Sequence, residues 1–387
     1  MYIAKRMGRL GTETAFEVLA RAKKLECEGR EIVHLEIGEP DFDTPVNIRE
    51  AAKKALDQGW THYGPSAGLP EHRETISKYM KQRWALDYSP DEIVVVPGAK
   101  PIMFFTILAC VEEGDEVIYP NPGFPIYESM INYIGAKAVP VQLREELDFR
   151  LDVNELASLV TDKTRMVVVN SPQNPTGGVL TKDDLVAIAE LAIKHDLIVL
   201  TDEVYNRIIY EGEHNSVASF PGMKERTVLI DGYSKTYAMT GWRMGWGAMP
   251  AELAPHITRL MTNSNSCTCS FAQIAGIEGL TGPQDDSAKM VEAFRERRDV
   301  VVDGLNSLPG ITCKKPQGAF YVFPNITGTG KDEKWLADYF LDEAGVACLA
   351  GTSFGKFGKG YIRFSYANSV ENIEKAIGRM AEALKSL

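Results

Sequence analysis

Thr227-Val228-Leu229-Ile230-Asp231-Gly232-Tyr233-Ser234-Lys235-Thr236-Tyr237-Ala238-Met239-Thr240-Gly241-Trp242-Arg243-Met244-Gly245-Trp246 opens on an apolar run and then breaks into a polar, small-residue loop. The run reads as a buried strand, so Lys235 stands just past a strand end, where a long side chain can reach into a cleft. By itself such a lysine reads more readily as a solvated loop residue. What the rest of the chain places beside it decides the matter.

Outward from this stretch, short apolar runs alternate with helical patterns. Strands are expected at 93–96, 116–119, 138–142, 165–169, 197–200 and 228–230, with helices at 101–111, 125–133, 153–160 and 182–195. Short apolar strands alternating with helices predict an α/β fold whose large, mostly parallel sheet is covered by helices on both faces. Nearer the start, a helical segment runs to about residue 31 and a short strand follows at 32–35. The turn-rich Gly38-Glu39-Pro40-Asp41-Phe42-Asp43-Thr44-Pro45 then marks a crossing between domains. Helices at 47–58 and 71–84 flank a long Gly/Pro loop, residues 60–70. Beyond about residue 281 the pattern becomes a long helix at 287–305, strand-like runs at 311–313 and 318–323, a helix at 333–344, a strand at 361–365 and a helix at 370–384. These predict a smaller, antiparallel α+β domain completed by the N-terminal segment. The division is residues 48–283 for the large domain, and 1–47 with 284–387 for the small one that closes over the substrate.

Composition narrows the partners. A chain of 387 residues with 44% hydrophobic and 25% charged residues and a net charge of -11 is an ordinary globular protein with a sizeable core. That acidic balance disfavours nucleic acid or an anionic membrane as partner and favours a small-molecule ligand. Cys27, Cys110, Cys267, Cys269, Cys313 and Cys348 are scattered without a Cys-x-x-Cys pair or a nearby histidine cluster, so no metal is expected and the thiols read as reduced. The first nine residues have no apolar core segment, and the longest apolar stretch, about 102–111, is too short to span a bilayer. A cytoplasmic protein is expected.

In an open parallel sheet, ligands bind beyond the carboxyl ends of the strands. Val94-Val95-Val96 leads to Pro97-Gly98-Ala99-Lys100, a small-residue turn opening a helix whose free N–H groups suit a phosphate. Taken alone it reads more readily as a plain strand-to-helix turn. Val167-Val168-Val169 leads to a Pro/Gly-fixed loop carrying Asn174, and Val199-Leu200 leads to Asp202 with Tyr205 close behind. A lysine, a carboxylate, a phenol, an amide and a phosphate-cradling helix start at one sheet edge match the needs of pyridoxal 5'-phosphate (PLP).

With these motifs in this order over nearly all of the chain, the sequence resembles the class I/II PLP-dependent aminotransferases of fold type I, near the aspartate and aromatic aminotransferases of bacteria and archaea. The resemblance implies that Lys235 forms the Schiff base and moves the proton, that Asp202 pairs with the pyridine nitrogen, and that Asn174 and Tyr205 hydrogen-bond the ring oxygen. It implies further that Arg243, Ser234, Gly98, Ala99 and Lys100 hold the phosphate, with Tyr63 reaching the phosphate of the neighbouring subunit in a homodimer whose active site is shared. Phe124 takes the place of the ring-stacking aromatic residue, and Arg363 with Gly38 would bind the substrate's α-carboxylate. The implied activity is ping-pong transfer of an α-amino group from an L-amino acid to a 2-oxo acid. A PLP-dependent C–S lyase or cyclising synthase would share the same cofactor residues. A regulatory protein on this fold would carry a DNA-binding segment or lack the lysine, and no Gly-x-Gly-x-x-Gly follows the early strands to suggest a dinucleotide enzyme. Two departures from the family pattern stand out: Gly232 replaces a phosphate-binding serine, and Leu10-Gly11-Thr12-Glu13-Thr14-Ala15-Phe16 lacks the Lys-Pro-Ser of the aspartate/prephenate enzymes.

Overall fold

The computed structural model describes residues 1–387. The strands are β1 Val33–His34, β2 Ile93–Val96, β3 Glu116–Asn121, β4 Lys137–Gln142, β5 Thr164–Asn170, β6 Ile198–Asp202, β7 Thr227–Gly232, β8 Gly245–Ala248, β9 Tyr321–Val322, β10 Val346–Ala347, β11 Leu349–Ala350 and β12 Ile362–Ser365. The helices are α1 Thr14–Cys27, α2 Val46–Asp57, α3 Pro70–Trp84, α4 Lys100–Cys110, α5 Ile126–Ile134, α6 Val153–Leu159, α7 Lys182–Lys194, α8 Ala254–Asn265, α9 Ser270–Thr281, α10 Asp285–Asn306, α11 Glu333–Tyr339 and α12 Val370–Leu384.

Seven strands form the main sheet in the order β2-β8-β7-β6-β5-β3-β4. Every neighbouring pair is parallel except those made by β8, which runs antiparallel to β2 and β7. Alternate side chains of one strand face opposite ways. In β5, Met166 and Val168 accordingly pack with Ile102, Met130 and Ile257 from α4, α5 and α8. Val167 and Val169 pack the other way with Leu156, Leu185 and Ile188 from α6 and α7. Toward β2 and β8 that second face is closed by α2, α3 and α9 through Ile48, Ile76 and Ala272. Burial on both faces explains why the strands read as continuous apolar runs rather than as alternating ones.

The remaining strands belong to two small sheets. β9, β12 and β11 pair antiparallel, with Tyr321 opposite Ser365 and Arg363 opposite Leu349. β1 pairs with β10 in parallel. A separate apolar cluster joins Val33 and Leu35 to Phe294 of α10, Phe320 and Ile373 of α12. The N-terminal strand is thus built into the same core as the C-terminal third of the chain.

Several expectations are corrected. The strand-like run 311–313 makes a single bridge, Thr312 to Asn325, and of 318–323 only Tyr321 and Val322 are strand. The helix foreseen through residue 344 widens to a π-helix at Phe340–Ala344 after α11. β8, α8 and α9 carry no counterpart in the sequence reading, and the β1–β10 pair is parallel where the small unit was expected to be antiparallel throughout. No helix is long and apolar enough to cross a membrane.

Candidate active site

The carboxyl ends of β2, β5, β6 and β7 open onto one cavity of about 540 Å³, lined by Lys235, Asp202, Tyr205, Asn174, Arg243 and Arg363 among others. The floor is Asp202, the last residue of β6. One carboxylate oxygen accepts the Tyr127 hydroxyl at 2.5 Å, while Val204 N–H donates to the other at 3.4 Å. Enclosure by protein pushes this carboxyl up to about 6. It is therefore ionised at neutral pH and would welcome a cationic N–H.

Asn170 ends β5 and shapes the loop beyond it. Its amide donates to the Asp202 carbonyl at 3.0 Å and its side-chain oxygen accepts the backbone N–H of Asn174, also at 3.0 Å. This presents the buried Asn174 to the cavity, with its Oδ1 accepting from Arg363 at 3.3 Å. Tyr205 lies under the same roof, buried, its hydroxyl 2.7 Å from that of Tyr321.

Lys235 leaves the loop after β7 and its Nζ donates to the Gly38 carbonyl at 2.6 Å. Its ammonium is costly in this enclosed place, and desolvation, reinforced by Arg363 and Lys100 and opposed by Glu39, lowers its pKa to about 8. A substantial neutral fraction near physiological pH makes it a usable nucleophile and base.

Anion recognition has two poles. At one, the guanidinium of Arg243 overlies the turn before α4: a Cβ on Gly98 would stand 2.3 Å from Arg243 Nη2, and Gly98 itself adopts φ +83°. Glycine at this position therefore lets the cation and the opening N–H groups of α4 face the same space. Ser234 lines the cavity as well. At the other pole, Arg363 in β12 is 4% exposed. Its Nη2 donates to the Glu36 carbonyl. Its Nε hydrogen has no acceptor, although a buried guanidinium normally spends every donor.

The structure thus gathers Gly38, Ala99, Lys100, Phe124, Asn174, Asp202, Tyr205, Ser234, Lys235, Arg243 and Arg363 around the cavity, with Gly98 against Arg243. Tyr63 stands apart: it is 90% exposed and does not line the cavity of its own chain. Glu13, Tyr127, Asn170 and Tyr321 also line it but were not singled out from sequence. Asn170 could have been, as the last residue of a predicted strand. Glu13 pairs with Lys100 at the mouth, and Lys100 Nζ lies 5.3 Å from the centre of the Phe124 ring.

Comparison with known proteins gives the family. Residues 30–380 match the family model for aminotransferase class I and II. The chain is 41% identical to an aspartate aminotransferase of Pyrococcus horikoshii, covering 99% of this chain and 97% of that one. It is also 41% identical to aromatic-amino-acid aminotransferase 2 of Thermococcus litoralis over 92% of each chain. Among solved structures, the aspartate aminotransferase of Thermus thermophilus with maleate superposes with a TM-score of 0.94 at 37% identity, covering 99% of this chain and all of that one.

Proposed function

The chain belongs to the class I and II aminotransferase family and transfers amino groups, and from that premise we propose that it works on PLP held at the carboxyl ends of β2, β5, β6 and β7. The observation that carries the proposal is the convergence of Lys235 Nζ, the Asp202 carboxylate and the Arg363 fork on one cavity. Three features support the fit of this cofactor. Arg243 and the opening of α4 offer cationic and N–H donors to a phosphate beside a glycine that leaves room for it. Asp202 offers an ionised carboxylate to a protonated ring nitrogen, and Asn174 with Tyr205 offers donors to a ring oxygen. Gly232 carries no hydroxyl, and a Cβ there would stand 3.1 Å from Gly245 Cα, so the phosphate contacts fall to Ser234, Arg243 and the helix start.

When bound, the cofactor supplies an aldehyde carbon that takes up and returns an amino group, and a ring that accepts the electrons released at the substrate's α-carbon. The protein does the rest. Arg363 would grip the α-carboxylate, one oxygen of which accepts from its unmet Nε–H. Lys235, neutral above its lowered pKa, would be the amine that holds the cofactor's aldehyde carbon and, when freed, the base that takes the proton from the substrate's α-carbon. Asp202 would keep the ring nitrogen protonated, and Phe124 would lie against the ring and add about 1 kcal/mol beyond its area burial. A second oxo acid reverses the sequence, giving ping-pong kinetics.

The substrate reading follows the mouth of the cavity. Lys100 is already paired with Glu13, and Phe16, Met103, Phe124, Leu349 and Phe354 are among the apolar residues of the lining. This supports a neutral, apolar or aromatic amino acid over an acidic one. The proposal includes the domain division at residues 48–283, a homodimer completed by Tyr63, and a cytoplasmic location suited to six free thiols.

Lys235→Ala should abolish turnover and the borohydride-trappable bond to PLP, while normal steady-state transamination by that variant would sink the assignment. A half-reaction screen, following loss of the cofactor absorbance without an acceptor, should rank aromatic and apolar amino acids above aspartate and glutamate. The reverse ranking would refute the substrate class.

A further inference from the structure

Tyr205 and Tyr321 present two buried hydroxyls 2.7 Å apart, and neither makes another hydrogen bond within the protein. Each phenol carries one hydrogen and can also accept. If Tyr205 donated to Tyr321, only its lone pairs would face the cavity, and they would repel an anionic ligand oxygen. If Tyr321 donates, the Tyr205 hydrogen is released toward the cavity. Tyr321 is held to this task on three sides. Its place in β9 is fixed by pairing with Ser365, two residues from Arg363 in β12. Its ring lies under the Arg363 guanidinium, 4.6 Å from centroid to Cζ. Its hydroxyl fills the space over Gly38, where a Cβ would stand 2.0 Å from the oxygen, so Gly38 has to be a glycine for the hydroxyl to reach Tyr205.

Resting on the cofactor reading above, we propose that Tyr321 is a positioning residue that commits the Tyr205 hydroxyl to donate to the cofactor's ring oxygen, and that it joins this donor to the strand bearing the carboxylate-binding Arg363. Donor chains polarise one another, so a phenol that accepts is the stronger donor. A stronger donor draws electron density from the ring oxygen and loosens the titrating proton held beside it. Removing the Tyr321 hydroxyl therefore tightens that proton without touching the cofactor.

The test is a pH titration of the visible absorbance of PLP-reconstituted wild type, Tyr321→Phe, Tyr205→Phe and the double variant, with the cofactor dissociation constant measured on each apoenzyme. Tyr321→Phe should raise the absorbance midpoint by about half a pH unit and Tyr205→Phe should raise it further. The double variant should titrate with Tyr205→Phe, because the effect passes through that hydroxyl. Since phenylalanine keeps the ring under Arg363, the amino-acid KM should change less than kcat. An unchanged midpoint in Tyr321→Phe, or an equal shift with Tyr205 already removed, overturns the role of Tyr321 while leaving the cofactor reading intact. A wild type with no titrating absorbance overturns both.

Discussion

Arg363 is the residue whose surroundings ask most plainly for a ligand. A planar fork buried against two aromatic rings, Tyr321 and Phe354, with its Nε hydrogen unspent, holds desolvated charge that a carboxylate would satisfy. Arg363→Lys keeps the charge and loses the second donor of the fork. We expect kcat/KM for amino acids to fall on the order of a hundredfold, about 3 kcal/mol, mostly through KM, with PLP affinity unchanged; a variant with wild-type KM would remove Arg363 from the substrate site. Lys235, Asp202, Asn174 and the turn at Gly98–Lys100 were legible in the sequence because each follows a strand end or sits in a Gly/Pro loop, whereas Arg363, inside the expected strand 361–365, was named only through the family resemblance. Tyr321 was hidden for the opposite reason: inside Gly318-Ala319-Phe320-Tyr321-Val322-Phe323 it looks like one more core aromatic.

At the level of elements, β7 delivers Lys235 and also ends on an unusual buried acid. Asp231 accepts from Asn206 Nδ2 at 2.8 Å and from Gly232 N–H at 2.6 Å, yet burial, with Glu203 adding to it and His214 opposing, pushes its carboxyl up to about 7. A folded-state pKa above the unfolded value means that the folded chain binds the proton more tightly, so the contribution to stability is full below about 3.8 and is lost as pH rises through about 7. In Asp231→Asn the new amide can accept the Gly232 hydrogen and, after a flip, donate to the unpartnered Asn206 Oδ1. Urea midpoints at pH 5 and pH 7.5 should therefore diverge in the variant's favour, with wild type losing about 1.4 kcal/mol per pH unit relative to it across the titration. Parallel pH profiles would show that Asp231 does not titrate there. The strands around β7 were readable because burial on both faces makes apolar runs. β8 was not: Gly245-Trp246-Gly247-Ala248 has no apolar run or alternation, and its glycines serve close packing instead, a Cβ on Gly245 standing 2.6 Å from Ala99 N. Nor could periodicity show the π-widening after α11, where the helical pattern continues unchanged.

On the scale of the whole molecule, the cavity draws on the main sheet for its proton-moving groups and on the C-terminal strands for its carboxylate fork, while the segment with Gly38 passes between them. The phosphate pole is the open side: Arg243 is exposed there, and Tyr63, expected to serve a phosphate, is 90% exposed and does not line its own chain's cavity. In the proposed homodimer each Tyr63 would complete the partner's site, so the two defects Lys235→Ala and Tyr63→Ala fall on the same site when they come from different chains and leave the other site intact. Each variant alone should be impaired, Lys235→Ala completely and Tyr63→Ala through weaker PLP binding. Refolding them together places the intact Lys235 of one chain beside the intact Tyr63 of the other in a mixed dimer. That dimer should bind PLP at one site with wild-type affinity and regain up to half of the wild-type activity per dimer. Mixtures whose activity and cofactor affinity stay at the average of the two parents would show that each chain builds its phosphate site alone.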